Sequence, residues 1–194
     1  MVNTYYVPNY TGSVFSGTIL RYDTTASFNT AGSYATFDTT TVNANSKGFY
    51  GAVYDGRYIY FIPYQNATST SFGQITRYDT TASFTTAGSY AVFDTTTINA
   101  NSKGFMGGVF DGRYIYLVPN DNGTTSGQVT RYDTTAPFDY SSSYSIYNTT
   151  GVSADSKGFN GAMYDGKYVY LAPNSGSVFT RINASQNLNT TVNA

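Results

Sequence analysis

The chain contains no Cys, no His, no Trp and no Glu, so all 11 of its acidic residues are Asp. Without Cys or His there is no disulfide framework, no thiol nucleophile, no Ser-His-Asp triad and no zinc site of the usual kind. Acid-base chemistry would fall to Asp, Lys or Tyr. Charge is scarce as well: Asp, Lys and Arg make up 11% of the residues and the formal net charge is -1. No cluster of Lys or Arg is present to hold a nucleic acid, so no polyanion partner is expected. No apolar run approaches the roughly 20 residues a membrane span requires, and MVNTYYVPNY lacks the charged start and apolar middle of a signal peptide. No metal, no cofactor and no membrane partner is expected.

Aromatic residues are abundant, with 21 Tyr and 13 Phe among 194 residues. Together with β-branched residues, Gly, Asn, Ser and Thr, they point to strands joined by tight turns rather than to helices. The six Asn-X-Ser/Thr sequons are what so much Asn and Thr produces by chance. An extracellular or secreted setting is favoured, and localisation otherwise stays open.

Internal repetition is the dominant signal. Arg-Tyr-Asp begins at Arg21, Arg77 and Arg131, and Arg181 opens a degenerate fourth copy, Arg-Ile-Asn. Asp55-Gly56, Asp111-Gly112 and Asp165-Gly166 recur in step, each between apolar runs, where Asp-Gly signals a two-residue hairpin turn. Each unit reads as four short strands, A to D, which in the second full copy fall at 107–110, 113–119, 127–133 and 143–148. Strand B is apolar on both faces, so neighbouring sheets must cover both of its sides. Stacked four-stranded units of this length predict an all-β protein, a β-propeller of four-stranded antiparallel blades with about 3.5 to 4 blades in the chain.

The units are placed at residues 1–44, 45–100, 101–154 and 155–194. Pro8 matches Pro63, Pro119 and Pro173, so the first unit begins at strand B and lacks strand A. The run 190–194 matches 40–44 by identity, and the last unit, shortened between strands C and D, carries a short last strand. Three arrangements satisfy this arithmetic: a ring closed by one chain, a segment of a longer array, or an arc that closes as a homo-oligomer.

The order GAVYDGRYIYFIP, GQITRYDTTASF, SYAVF resembles the kelch-type propeller blade over nearly the whole chain. The kelch Gly-Gly doublet after strand B is replaced by Pro63-Tyr64, Pro119-Asn120 and Pro173-Asn174, and the outer-strand Trp by Tyr or Phe. The resemblance implies an interaction platform, with some extracellular relatives binding or acting on sugars.

All ten basic residues and eight of the Asp obey the repeat, which suits local pairing and capping; a catalytic site needs an acid and a base in different environments. Ligand-binding candidates come from the loops. Lys47, Lys103 and Lys157, each in an Asn/Asp-Ser-Lys-Gly-Phe segment, are expected near the channel opening with Asn45 and Asn101 as amide partners. Tyr50, Met106 and Asn160, just before strand A, differ between copies, as do the lengths of the B-to-C loops, one of which carries Tyr64. The expected function is non-enzymatic: a recognition or scaffold module whose loop face binds a glycan or a protein. The alternative is a structural, self-assembling repeat protein whose ring closes as a homo-oligomer. More remote is a glycoside hydrolase using Asp121, Asp139 and Asp155, the acids outside the register.

Overall fold

β-branched and aromatic runs flanked by Gly, Asn and Asp build short strands throughout. The computed structural model describes residues 3–174, 178–185 and 192–193. The first sheet holds β1 (Asn3–Tyr6), β2 (Thr18–Asp23) and β3 (Tyr34–Asp38) in that order. Next come β4 (Phe49–Tyr54), β5 (Tyr58–Pro63), the hairpin strands β6 (Gln65–Ala67) and β7 (Thr70–Ser71), then β8 (Gln74–Asp79) and β9 (Tyr90–Asp94). The second sheet is ordered β4-β5-β8-β9, and β6 pairs with β7 in a separate two-stranded sheet. β10 (Phe105–Phe110), β11 (Tyr114–Pro119), β12 (Gln128–Asp133) and β13 (Tyr144–Asn148) form the third. β14 (Phe159–Tyr164), β15 (Tyr168–Pro173), β16 (Thr180–Asn183) and β17 (Val192–Asn193) form the fourth. Every pairing is antiparallel, and the helical elements among the described residues are three-residue 3-10 turns. None is long and apolar enough to cross a membrane.

Register ties the copies together. Tyr5, Tyr60, Tyr116 and Tyr170 pair with Arg21, Arg77, Arg131 and Arg181 respectively, so β1 is the counterpart of β5, β11 and β15. Strand A is longer than the sequence suggests. It starts at Phe49, Phe105 or Phe159 and contains a bulge, which places Tyr50, Met106 and Asn160 inside the strand rather than before it. The C-terminal alignment also changes. Val192 pairs with Ile182 and Asn193 with Arg181, the positions that Tyr144 and Ser145 occupy opposite Tyr132 and Arg131. These two residues therefore start strand D, whereas identity with Val42 and Asn43 would put them after it.

The hairpin turn is shifted by one residue from the expected Asp-Gly. Tyr54 pairs with Ile59 and the Asp55 N–H donates to the Tyr58 carbonyl, so Gly56-Arg57 is the central pair. Gly56 alone has positive φ, +105°, as a turn with Gly in its first central position requires. Asp55 supports the turn from outside: its carboxylate accepts from the Arg57 and Tyr58 N–H groups at 2.8 and 2.7 Å and from the Tyr60 hydroxyl at 2.7 Å. Asp111 and Asp165 repeat this pattern.

The sheets are covered by one another. Tyr60, Ile62 and Ile75 of the second sheet are buried together with Ile115, Leu117, Tyr132 and Tyr144 of the third. The opposite face of the third sheet, through Tyr116, Val118 and Val129, is buried with Val169, Leu171 and Ile182 of the fourth. Ile19 of the first sheet shares a core with Ile59, Phe61, Tyr78 and Tyr90 of the second. β5 and β11 are thus apolar on both sides because each separates two cores. An aromatic wedge locks each of the first two junctions. Phe138, between β12 and β13, contacts Tyr60 and Tyr132 at centroid distances of 6.0 and 5.7 Å, while Phe93 lies flat on Tyr144 at 4.3 Å. Phe84 and the Phe37–Tyr90 stack do the same one junction earlier.

Truncating the wedge leaves a cavity between two sheets. Phe138→Ala is expected to cost about 3–5 kcal/mol, and the exposed neighbour change Tyr140→Ala less than about 0.5 kcal/mol. Urea unfolding of the two variants measures both, and a similar cost for the pair contradicts the wedge.

Candidate functional site

Antiparallel register sorts the connections to two ends. Gln74 pairs with Asp94, and Tyr58 pairs with Asp79, so the B-to-C and D-to-A loops share one end while the Asp-Gly hairpins and C-to-D loops share the other. All of the sequence-derived ligand candidates therefore lie toward the first end.

The Asn-Ser-Lys-Gly-Phe segment is built mainly from its other residues. Ser46, Ser102 and Ser156 are fully buried. The Ser102 hydroxyl lies 2.6 Å from the Thr130 hydroxyl, and the Ser102 carbonyl lies 2.6 Å from the Thr95 hydroxyl, so Ser102 joins the end of one sheet to strand C of the next. Ser46 links Thr39 to Thr76, and Ser156 links Thr149 to Thr180, in the same way. Gly104 follows with φ +70°, and a Cβ there would stand 1.6 Å from the Asp121 carbonyl oxygen. Its N–H donates to Phe72 and its carbonyl accepts from Asn120, stitching two successive B-to-C loops together. The following Phe49, Phe105 and Phe159 are completely buried. The Lys side chains remain partly exposed at the rim. Sequence reasoning fixed on the charge and passed over the serine, whose only signal is its recurrence in each copy.

One cleft at this end, of about 390 Å³, brings candidates together. Asn45, Asn66, Gln74, Asp94 and Lys103 line it. The Asn66 amide donates to Asn45 Oδ1 at 3.3 Å, holding the two loops side by side. Gln74 Oε1 is buried and has no hydrogen-bond partner among the described residues, which leaves an acceptor in the cleft wall. Asp94 Oδ1 caps the Thr96 N–H at 2.9 Å and takes the Thr96 hydroxyl at 2.6 Å.

Tyr50, near the start of β4, meets Tyr64, just after β5, edge to face at 5.6 Å. The bulge turns Tyr50 outward, and it is 45% exposed. Tyr64 stands where the other units have Asn. There Asn9 and Asn120 donate to the carbonyls of Phe49 and Phe159, tying loop to strand, and Tyr64 substitutes an aromatic contact. Burial, then the charges of Asp121 and Tyr50, push the Tyr64 hydroxyl above its usual range.

Neither this tyrosine pair nor the remaining candidates line the cleft. Lys47 and Lys157 occupy the equivalent loops of other units, with their N–H groups donating to the Asn45 and Asp155 carbonyls. The Asn101 carbonyl accepts from the Asn122 amide, Asn160 Oδ1 accepts from Asn120, and Met106 is half-buried in β10. Asp121, Asp139 and Asp155 sit on three different connections: before β12, between β12 and β13, and before β14. A second cleft, about 490 Å³, lies at the opposite end and is lined by Asp111, Arg113, Tyr114, Arg131, Tyr164 and Lys167 among others.

The repeated triplet does not pair within itself. Asp79 and Asp133 bind the hairpin residues Arg57 and Arg113, each at 2.7 Å, while Arg77 and Arg131 lie over the Tyr58 and Tyr114 rings at 4.2 and 4.1 Å. The partner guanidinium, helped by Thr81 or Thr135, holds each carboxyl down at about 2. A carboxyl lowered on folding stabilises the protein above its unfolded value of about 4. That contribution is lost as pH falls toward about 2. Stability measured by urea unfolding is therefore expected to fall between these limits, and to fall less steeply in Asp79→Asn and Asp133→Asn, whose stability at neutral pH is already reduced. An unchanged slope contradicts the assignment.

No family model and no curated protein matches this chain.

Proposed function

We propose that the protein is a non-enzymatic recognition module, an arc of propeller blades whose loop face binds a glycan. The blade reading rests on the succession of antiparallel sheets that bury both faces of β5 and β11, with the first strands β4, β10 and β14 lying next to one another. The binding reading rests on the cleft lined by Asn45, Asn66, Gln74 and Lys103 and on the Tyr50–Tyr64 pair at the same end of the sheets.

A sugar offers hydroxyls that donate and accept at fixed spacing and a face of C–H groups that lies on an aromatic ring. The cleft supplies amides, a cation and a carboxylate in close company, including an acceptor on Gln74 with no partner among the described residues. Opposite charges on Asp94 and Lys103 suit a neutral polyol better than an anion. Tyr64 contributes a protonated hydroxyl and, with Tyr50, an apolar platform.

A broad glycan array followed by calorimetric titration tests this. One class of neutral glycan is expected to bind, with Tyr64→Ala and Lys103→Ala each weakening it about tenfold or more, a change of about 1.4 kcal/mol, while thermal unfolding stays near that of the parent. No binding across the array overturns the glycan reading.

A further inference from the structure

The two end sheets each leave one face open, and the chain itself contains the pattern for what covers them. At the junction of the first and second sheets, the Tyr78–Phe84–Tyr90 cluster of the second is buried against the first. Phe84 contacts Tyr5 at 5.9 Å and lies under the Arg21 guanidinium at 5.0 Å. The next junction repeats this with Tyr132–Phe138–Tyr144, where Phe138 contacts Tyr60 at 6.0 Å and lies under Arg77 at 4.3 Å.

The first sheet carries a third copy of the cluster on its outward face. Tyr22 stacks on Tyr34 at 5.0 Å and 27°, against 4.8 Å and 26° for Tyr78 and Tyr90, and Phe28 stands edge-on to both. The internal geometry is that of the buried clusters, but Phe28 is 69% exposed and Tyr6, the counterpart of the fully buried Phe61, is 73% exposed. The fourth sheet presents the opposite half of the same junction. Tyr170 corresponds to Tyr5 and Tyr60, Arg181 to Arg21 and Arg77, Phe179 to Ile19 and Ile75, and Met163 to Val53. Phe179 is 58% exposed, Met163 is 63% exposed, and Tyr170 is stacked only on Phe179 among the aromatic partners outside its own strand. The two half-junctions are both uncovered in one chain, so they do not satisfy each other within it.

We propose that the outward face of the first sheet, around Tyr6, Tyr22, Phe28 and Tyr34, docks on the outward face of the fourth sheet of a second copy of this chain. Phe28 of one copy enters beside Tyr170 and beneath Arg181 of the other, as Phe84 does beside Tyr5 and beneath Arg21. The contact is head-to-tail, since the two faces differ, so two or more copies can join through it. It stands apart from the loop-face reading, which uses other residues at the loop end of the sheets.

Light scattering after gel filtration of the 194-residue chain, with Phe28→Asp and Phe179→Asp variants, tests the docking. The parent is expected to show at least twice the chain mass, and each variant the monomer mass with unchanged far-ultraviolet circular dichroism. Mixing the two variants is expected to restore a one-to-one pair, because Phe28→Asp keeps the fourth-sheet face and Phe179→Asp keeps the first-sheet face. Tyr6→Asp serves for the first-sheet face if Phe28→Asp does not fold. A parent that stays monomeric to high micromolar concentration, an assembly indifferent to substitution on either face, or folded variants that do not pair when mixed overturns the proposal.

Discussion

Everything in this structure depends on the covering of one sheet by the next. A short four-stranded sheet cannot bury enough apolar surface alone, and strands such as Tyr58–Pro63 and Tyr114–Pro119 are apolar on both sides, so each needs two neighbours. The means is the same at each of the first two junctions: a phenylalanine from the C-to-D connection set between two tyrosines and under an arginine, beside a flat aromatic pair. Offset and edge-on aromatic pairs add about 0.5–1.5 kcal/mol each beyond area burial, and the guanidinium gains from lying on a ring face with little water around it. With few charges available, most arginines in this chain serve as flat, polarised packing surface.

The loop end follows from that stacking. Where the D-to-A connection crosses from one stacked sheet to the next, Thr95, Ser102 and Gly104 are buried, and the polar groups there require partners. Ser102 and Thr95, with Thr130, provide them, and the positive φ of Gly104 lets the chain turn against the Asp121 carbonyl. The Asn45–Asn66 cleft and the Tyr50–Tyr64 pair are held on this rigid base. Repetition supplies the frame, and a departure from it supplies the platform: where other units place Asn after the proline, the second has Tyr64.

Much of this was legible in the chain. The recurrence of Arg-Tyr-Asp and Asp-Gly pointed to an all-β chain of antiparallel strands, and the two-sided apolarity of Tyr114–Pro119 required covering sheets. What was not legible needed three dimensions. The Asp-Gly word hid a turn centred on Gly56-Arg57, because the aspartate caps the turn from outside it. Arg77 and Asp79, two apart on one strand, invite pairing in sequence, yet the guanidinium lies over the Tyr58 ring and the carboxylate is taken by Arg57 of the hairpin. Val192 and Asn193 match residues after a strand by identity, but backbone pairing makes them the strand. The lysines drew notice as charges, while the serines beside them hold the loop.

Hydrogen exchange of backbone amides on the Phe28→Asp chain tests the dependence of each sheet on its neighbours most directly, since that substitution holds the end faces uncovered. Amides of β5, β8, β11 and β12, covered on both sides, are expected to exchange by far the slowest, with β1, β2, β15 and β16 opening first. Equal protection of all four sheets would show that each stands on its own, and would contradict the account.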